Sequence, residues 1–565
     1  GLFFQSFGVV VTFGVLVSLL VSLTLTPMLC SRYLRVEQKH GPVHRGLDTA
    51  FAALDRGYRA LLSLALGHRW TVVALTVLTV LSSGYFFGAV GKAFVPEEDE
   101  GRFIVMLKTP LGSSIDYTRG RLEEVERLLA ARPEVASYFT AIGLGQAGQV
   151  NQGFAYVRMT PRQERELKQY ELLPRLGAEL AGIPGVRAFA APVPIIGGQR
   201  GEPLQFAVRG PDLRRVADIA DRLHARLAAM PELGRVDLDL QMDLPQLEPR
   251  IDRVRAAGLG LTTQDIALAL QVLAGGYDVA KYNDVPGDGE RYDVRLKVRD
   301  GVLATPADLS RIHLRGASGE MLRLDSLVSL ERTLGPAVIS RLDLQYSANF
   351  FANPKIPLGA AVTRVQETAA GLLPPGYSVR MLGEAEEFGK TAYYMSFAFA
   401  LAMVLVYMVL ASQFNSFLQP LIIMLAQPLA IIGGVFALWV SGHTLNIYSM
   451  IGLVLLVGLV AKNSILLVDL TNALRAEGRD VDAALREACP IRMRPVLMTS
   501  LTVILALLPA ALKLGAGGDS NAPLAIAVIG GMVSSTLLTL VVVPAVYSLI
   551  ERYRERRPGT HAGNT

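Results

Sequence analysis

The sequence predicts a polytopic α-helical membrane protein carrying a large α+β insert. Three observations support this class. The 565 residues are 51% hydrophobic with a mean hydropathy of +0.36, too apolar for an ordinary soluble chain. The apolar residues cluster towards the two ends, while residues 100–385 are mixed in character. Lys and Arg crowd some connections between apolar runs and avoid others, as they do on the cytoplasmic side of membranes.

Residues 1–30 hold the first spanning helix, centred on 7–29 (FGVVVTFGVLVSLLVSLTLTPML). Pro27 lies near its end, where it is tolerated. Residues 31–69 form a basic connection with Arg32, Arg35, Lys39, Arg45, Arg56, Arg59 and Arg69, and within it 50–66 has the apolar spacing of an interfacial helix. The second span is 70–91, and GKAFVPEEDEGRF then leaves the membrane. The chain opens at Gly1, already inside an apolar segment and without Met, so we expect it to be part of a longer protein.

In the insert, strand-like 103–110, 135–143, 154–160 and 186–195 alternate with helical 116–132 and 165–182. That βαββαβ order is the ferredoxin-like split motif, and it gives a first subdomain over 100–200. A second unit of the same kind occupies 201–253 and 333–385, interrupted by a module at 254–332 whose helix 262–276 has Thr262 or Thr263 as N-cap. Five further spans are expected within 391–548, at 391–411, 418–440, 447–469, 495–513 and 523–548, with a cytoplasmic tail at 549–565. The basic connections 30–69 and 472–494 and the tail ERYRERR orient them, which puts the insert on the opposite side, the periplasm of a Gram-negative cell.

The formal charge of +5 is modest and gives no reason to invoke nucleic acid. Cys30 and Cys489 form no CxxC, and the seven histidines are scattered, so no metal site, cofactor site or disulfide framework is expected. No Ser/His/Asp set or carboxylate pair points to an enzyme. GLGQAGQVNQG is Gly-rich but has no P-loop Lys-Ser/Thr, and reads as a mobile loop between strands. EEDE (97–100) reads as a solvated acidic collar rather than a cation site.

The feature that asks for chemistry is Lys462, near the middle of the apolar run 451–470. A lysine in hydrocarbon costs roughly 2.5–3.5 kcal/mol on insertion scales. The bland alternative is snorkelling, but apolar residues flank Lys462 on both sides, so an ion or proton pathway with a charged partner is the better reading. Arg492 and Arg494 stand at the mouth of the next span with Thr499 about a turn and a half further in. On their own these satisfy the charge rule and a helix backbone. Beside an intramembrane lysine they become relay members. Asp469 lies at the expected end of its span, so the acidic partner is expected outside this chain.

TPMLCSRYL, AFVPEEDEGRF, LASQFNSFLQPLIIMLAQPLAIIGG, GLVAKNSILLVD and RMRPVLMTSL resemble motifs of the resistance-nodulation-division (RND) efflux permeases, in their hydrophobe/amphiphile, AcrB-like multidrug branch. The resemblance runs along essentially the whole chain, as the sixth span followed by the second half of a twelve-span protein. It implies a homotrimer in the inner membrane, driven by the proton gradient with no cofactor. The implied partners are a periplasmic adaptor (membrane fusion) protein, an outer-membrane channel, small amphiphilic substrates and the lipid bilayer. It implies that Lys462, Arg492 and Thr499 serve a proton relay with two aspartates of the fourth span. It also implies porter subdomains with an inserted docking module, and a substrate pocket at Phe139, Leu144, Gln146 and Tyr156. Leu144 and Gln146 stand where multidrug relatives often carry Phe. The competing functions are heavy-metal efflux, protein translocation or lipid handling on the same architecture, and a sensor without transport. Paired mid-membrane aspartates in the other half would separate transport from the last.

Overall fold

The structure, a computed structural model, describes residues 2–33, 42–96, 98–144, 148–194, 201–283, 287, 289, 291–299, 305–514 and 517–555. Four helices open the chain: α1 (Leu2–Leu23), α2 (Leu25–Tyr33), α3 (Pro42–Gly67) and α4 (Arg69–Ala89). α3 lies against the membrane bundle, where Tyr58, Leu62 and Leu66 join its core and the Tyr58 hydroxyl donates to the Leu540 carbonyl at 2.9 Å.

The first extramembrane unit runs β1 (Arg102–Lys108), α5 (Ile115–Ala130), β2 (Val135–Ile142), β3 (Gln152–Met159), α6 (Gln169–Leu180) and β4 (Arg187–Pro192). Its sheet order is β2-β3-β1-β4, with every neighbouring pair antiparallel. Strand alternation decides what is buried. Phe103, Val105 and Leu107 pack with Ala155 and Val157 under Leu122, Val125 and Leu129 of α5 and Leu172, Leu176 and Leu180 of α6. The intervening residues face away from the helices. Ser114 caps α5, its hydroxyl accepting from the Tyr117 N–H.

The second unit begins with β5 (Leu204–Gly210), α7 (Leu213–Ala228) and β6 (Val236–Leu238). An insertion follows: β7 (Leu244–Ile251), α8 (Arg253–Gly258), α9 (Thr263–Ala274), β8 (Tyr277–Tyr282), β9 (Tyr292–Leu296), β10 (His313–Arg315), β11 (Met321–Arg323) and β12 (Val328–Gly335). The unit resumes as β13 (Ser340–Leu342), β14 (Gln345–Ala352), α10 (Leu358–Ala370) and β15 (Ser378–Leu382). Its sheet runs β13-β14-β5-β15, with β6 paired to β14. Phe206 and Phe350 stack at 4.6 Å between ring centres in its core. The insertion is wider than the expected 254–332, because β7 and β12 pair along their lengths as a two-stranded ribbon. β8, which the sequence reading missed, pairs with β9, and both strands are exposed on both faces.

The membrane part continues as α11 (Gly383–Phe414), α12 (Gln419–Met424), α13 (Ala426–Val440), α14 (Ile447–Ala476), α15 (Val481–Ala511) and α16 (Gly518–Glu555). Seven segments of the described residues are long and apolar enough to cross a bilayer: Phe7–Tyr33, α4, α11, Gln419–Val440, α14, α15 and α16. α11 starts directly after β15, and its Ala385 is buried in the core of the second unit. α13 and α16 touch backbone to backbone: a Cβ on Gly530 would lie 2.3 Å from Ala437 Cβ and 2.7 Å from the Gly433 carbonyl. Small residues allow this approach between membrane helices.

Two span boundaries move. α15 begins at Val481, fourteen residues before the expected 495, with Asp480 as its N-cap, and runs through Pro490 and Pro495. α14 continues past 469 to Ala476, so Asp469 lies about two turns inside the helix rather than at its end. At the Lys/Arg-rich end of the bundle Asp482 accepts from Arg69 at 2.6 Å, from Ser548 at 2.9 Å and from Arg552, joining α4, α15 and α16.

Candidate functional site

α14 is a buried helix with one open face. Leu453, Leu456, Val460, Leu467 and Val468 pack into the bundle core, whereas Gly458, Lys462 and Asp469 are exposed. Among the described residues Lys462 has no hydrogen bond or ion pair. A charged side chain on an apolar transmembrane face demands a partner.

The residue next to it points inward. Asn463 is 3% exposed, and it joins a polar string that the sequence reading missed. Its Nδ2 donates to Ser500 Oγ at 3.4 Å, and Ser500 Oγ lies 2.6 Å from Thr536 Oγ1. The Thr499 hydroxyl is 3.3 Å from Asn463 Oδ1 and 3.0 Å from the Val496 carbonyl. The string therefore crosses from α14 through α15 to α16 in otherwise apolar surroundings, where each unmade hydrogen bond is costly. The signal was present in the polar pairs Lys462-Asn463 and Thr499-Ser500, whose second members turn into the core.

Arg492 is half-buried, and its Nε is buried without a hydrogen-bond partner among the described residues. Arg494 turns the other way, its guanidinium 5.5 Å from the ring centre of Phe51 on α3. The structure thus ties Thr499 to the residue beside Lys462, while no hydrogen bond joins Arg492 to Lys462 among the described residues.

In the first extramembrane unit, Phe139 and Tyr156 face each other as cross-strand partners, and the row continues through Ile104 to Ala191. The adjacent row is Ala141, Phe154, Met106 and Phe189. Both rows lie on the sheet face away from α5 and α6, so Phe139, 60% exposed, is not a core residue. Arg235 of the second unit lies 5.6 Å from the ring centre of Phe189, which brings the two units together over this face. Leu144 is exposed beyond the end of β2. Gln146, and with it the centre of the Gly-rich loop, lies outside the described residues.

The expectation for EEDE needs correction. Asp99 is not solvated: its side chain is 5% exposed and pairs with Arg165, which is 2% exposed. Glu98 accepts from the Ser520 hydroxyl, and Glu100 pairs with Arg102 at 2.8 Å. A local charge count missed this because Arg165 and Ser520 are distant in sequence.

Residues 1–551 match the AcrB/AcrD/AcrF family, and the chain belongs to that family of RND permeases. It is a multi-pass membrane protein of a transporter family. An uncharacterized transporter of Haemophilus influenzae is 28% identical over 97% of the chain and 54% of its own length. Multidrug resistance protein MdtC of Pectobacterium carotovorum is 27% identical over 99% of the chain and 54% of its own length. The crystal structure of a heavy metal efflux pump superposes with a TM-score of 0.79 at 24% identity, over 89% of this chain and 52% of that one, a likeness of fold. The chain spans about half the length of the curated relatives it matches.

Proposed function

We propose that this chain forms the C-terminal half, with the sixth span, of a proton-driven inner-membrane efflux permease exporting hydrophobic or amphiphilic compounds. The observation that carries the reading is Lys462, unpaired among the described residues on the open face of α14 and adjacent in sequence to the polar string Thr499–Asn463–Ser500–Thr536. A carboxylate-bearing helix from the other half of the protein would cover that face and hold the ammonium charged. When protons reach those carboxylates the pair weakens, and Lys462 turns towards Thr499. Arg492, whose buried Nε has no hydrogen-bond partner among the described residues, serves the relay from the Lys/Arg-rich, cytoplasmic side as a fixed positive charge. Family membership and the multidrug relatives support this reading.

The two βαββαβ units act as porter subdomains in the periplasm, and the insertion between β7 and β12 as the docking module. Phe139, Tyr156, Leu144 and Gln146 line the substrate cleft, where the exposed ring of Phe139 suits flat, apolar molecules. The complete protein works as a homotrimer with a periplasmic adaptor and an outer-membrane channel, and needs no cofactor beyond the proton gradient.

The test is export by the full-length protein in proteoliposomes under an imposed pH gradient. Export of an amphiphilic dye should appear with the gradient and stop when it is collapsed. Gradient-independent export would overturn the reading.

A further inference from the structure

The described residues of the segment Gly91–Asp99 between α4 and β1 belong to no named helix or strand, yet they cap the starts of three helices and meet a fourth. The Leu445 N–H donates to the Gly91 carbonyl at 2.7 Å, and the Ala93 N–H to the Leu445 carbonyl at 3.1 Å. Lys92 and Leu445 thereby form a parallel bridge. The Ile447 N–H, at the first residue of α14, donates to the Phe94 carbonyl at 3.1 Å. The Gly359 N–H, in the first turn of α10, donates to the Lys92 carbonyl at 3.2 Å. The first N–H groups of a helix have no partner within it, so these two carbonyls fix the starts of α14 and α10.

The acidic end of the segment repeats the pattern. Asp99 accepts from the first N–H of α6, that of Gln169, at 3.1 Å, and pairs with buried Arg165. Glu98 accepts from the Ser520 hydroxyl in the first turn of α16. Phe94 is 5% exposed and sits in the core of the second unit. The fit around the start of the segment is tight: a Cβ on Gly91 would lie 2.9 Å from Pro357 Cγ and 3.3 Å from Thr444 Cγ2.

We propose that Gly91–Asp99 is a transmission strap that carries a displacement of α14 to both extramembrane units at once. This rests on the proton-driven reading above. The head of the helix that bears Lys462 is hydrogen-bonded to the strap, the strap's Phe94 is buried in the second unit, and five residues after Phe94 the strap is anchored by Asp99 to the first. Backbone hydrogen bonds and a buried ion pair transmit a shift without slack, and packed interfaces convert it into a discrete change rather than a graded one. The covalent route through α11 enters the second unit, whereas the strap runs on from Phe94 to Asp99 and so reaches the first unit directly.

The experiment adds slack to the strap. Two glycines inserted after Pro96 lengthen it by up to about 7 Å while leaving every residue that forms the contacts above in place. In full-length protein reconstituted in proteoliposomes, proton entry and dye export are measured together. We expect proton entry to persist and export per proton to fall about tenfold or more, as expected when a coupling free energy is removed. The same insertion after Gly319, in the exposed turn between β10 and β11, should leave the ratio unchanged. If the slackened protein does not assemble, the Glu98→Gln/Asp99→Asn double variant takes its place with the same readouts. A wild-type ratio of export to proton entry in the slackened or double variant overturns the strap alone. A wild-type protein that exports without proton entry overturns the proton-driven reading, and the strap with it.

Discussion

The Thr499 hydroxyl lies 3.3 Å from the Asn463 side-chain oxygen, which ties α15 to the residue next to Lys462. Asn463 holds a second contact with its amide, to Ser500 at 3.4 Å. Replacing Asn463 by Leu keeps the size and removes both. Interhelical hydrogen bonds in membranes are worth about 0.6–2 kcal/mol, so the bundle should still assemble. Thr499 loses its orientation, and export by the full-length variant should fall while its yield in the membrane stays normal. Undiminished export would show that Asn463 only packs.

The α13–α16 crossing gives a sharper structural prediction. Gly530→Leu puts a side chain where Ala437 Cβ is 2.3 Å away and the Gly433 backbone 2.7 Å away. Overpacking of this kind costs about 1–3 kcal/mol or more. The melting temperature in detergent should fall, or the protein should not accumulate. Gly84→Ala, with nothing within 4 Å of the new methyl, should melt as the wild type does.

These two sites show what was legible in the sequence. The apolar runs placed all seven spans, because burial of apolar surface in lipid leaves a signal about twenty residues long. Lys462 stood out for the same reason, as a charge inside such a run. Thr536 did not, since a hydroxyl inside a helix satisfies its own backbone and its second partner, Ser500, is a long-range contact. The starts of α15 and the β7–β12 ribbon were missed on similar grounds. α15 opens with a polar amphipathic turn outside the apolar run, and β7 contains two prolines that disguise a strand. The acidic run 97–100 looked solvated because Arg165 lies sixty-six residues from Asp99.

The basic connections predict an orientation that can be tested. In the full-length protein in whole cells, Ser113→Cys should react with an impermeant thiol reagent added from the periplasm. Gly478→Cys, in the turn between α14 and α15, should react only after the inner membrane is opened. The reverse pattern would invert the topology.

Exposed Phe139 and its half-buried cross-strand partner Tyr156 predict a specificity change. Leu144→Phe in the full-length protein adds an exposed aromatic ring just beyond the end of β2, the strand that carries Phe139. Large planar substrates should be exported better relative to small ones, as read from a panel of dyes and drugs. An equal effect on every compound, or none, would remove Leu144 from the cleft.

The most direct test of the central claim is the Lys462→Met variant of the full-length protein, measured for proton entry and export in the same proteoliposomes. Met keeps the length and apolarity of the side chain and removes its charge, so carboxylates facing it lose their counter-ion and stay protonated. The account predicts normal membrane insertion and assembly, with both proton entry and export abolished. A well-inserted Lys462→Met protein that exports at the wild-type rate would contradict it.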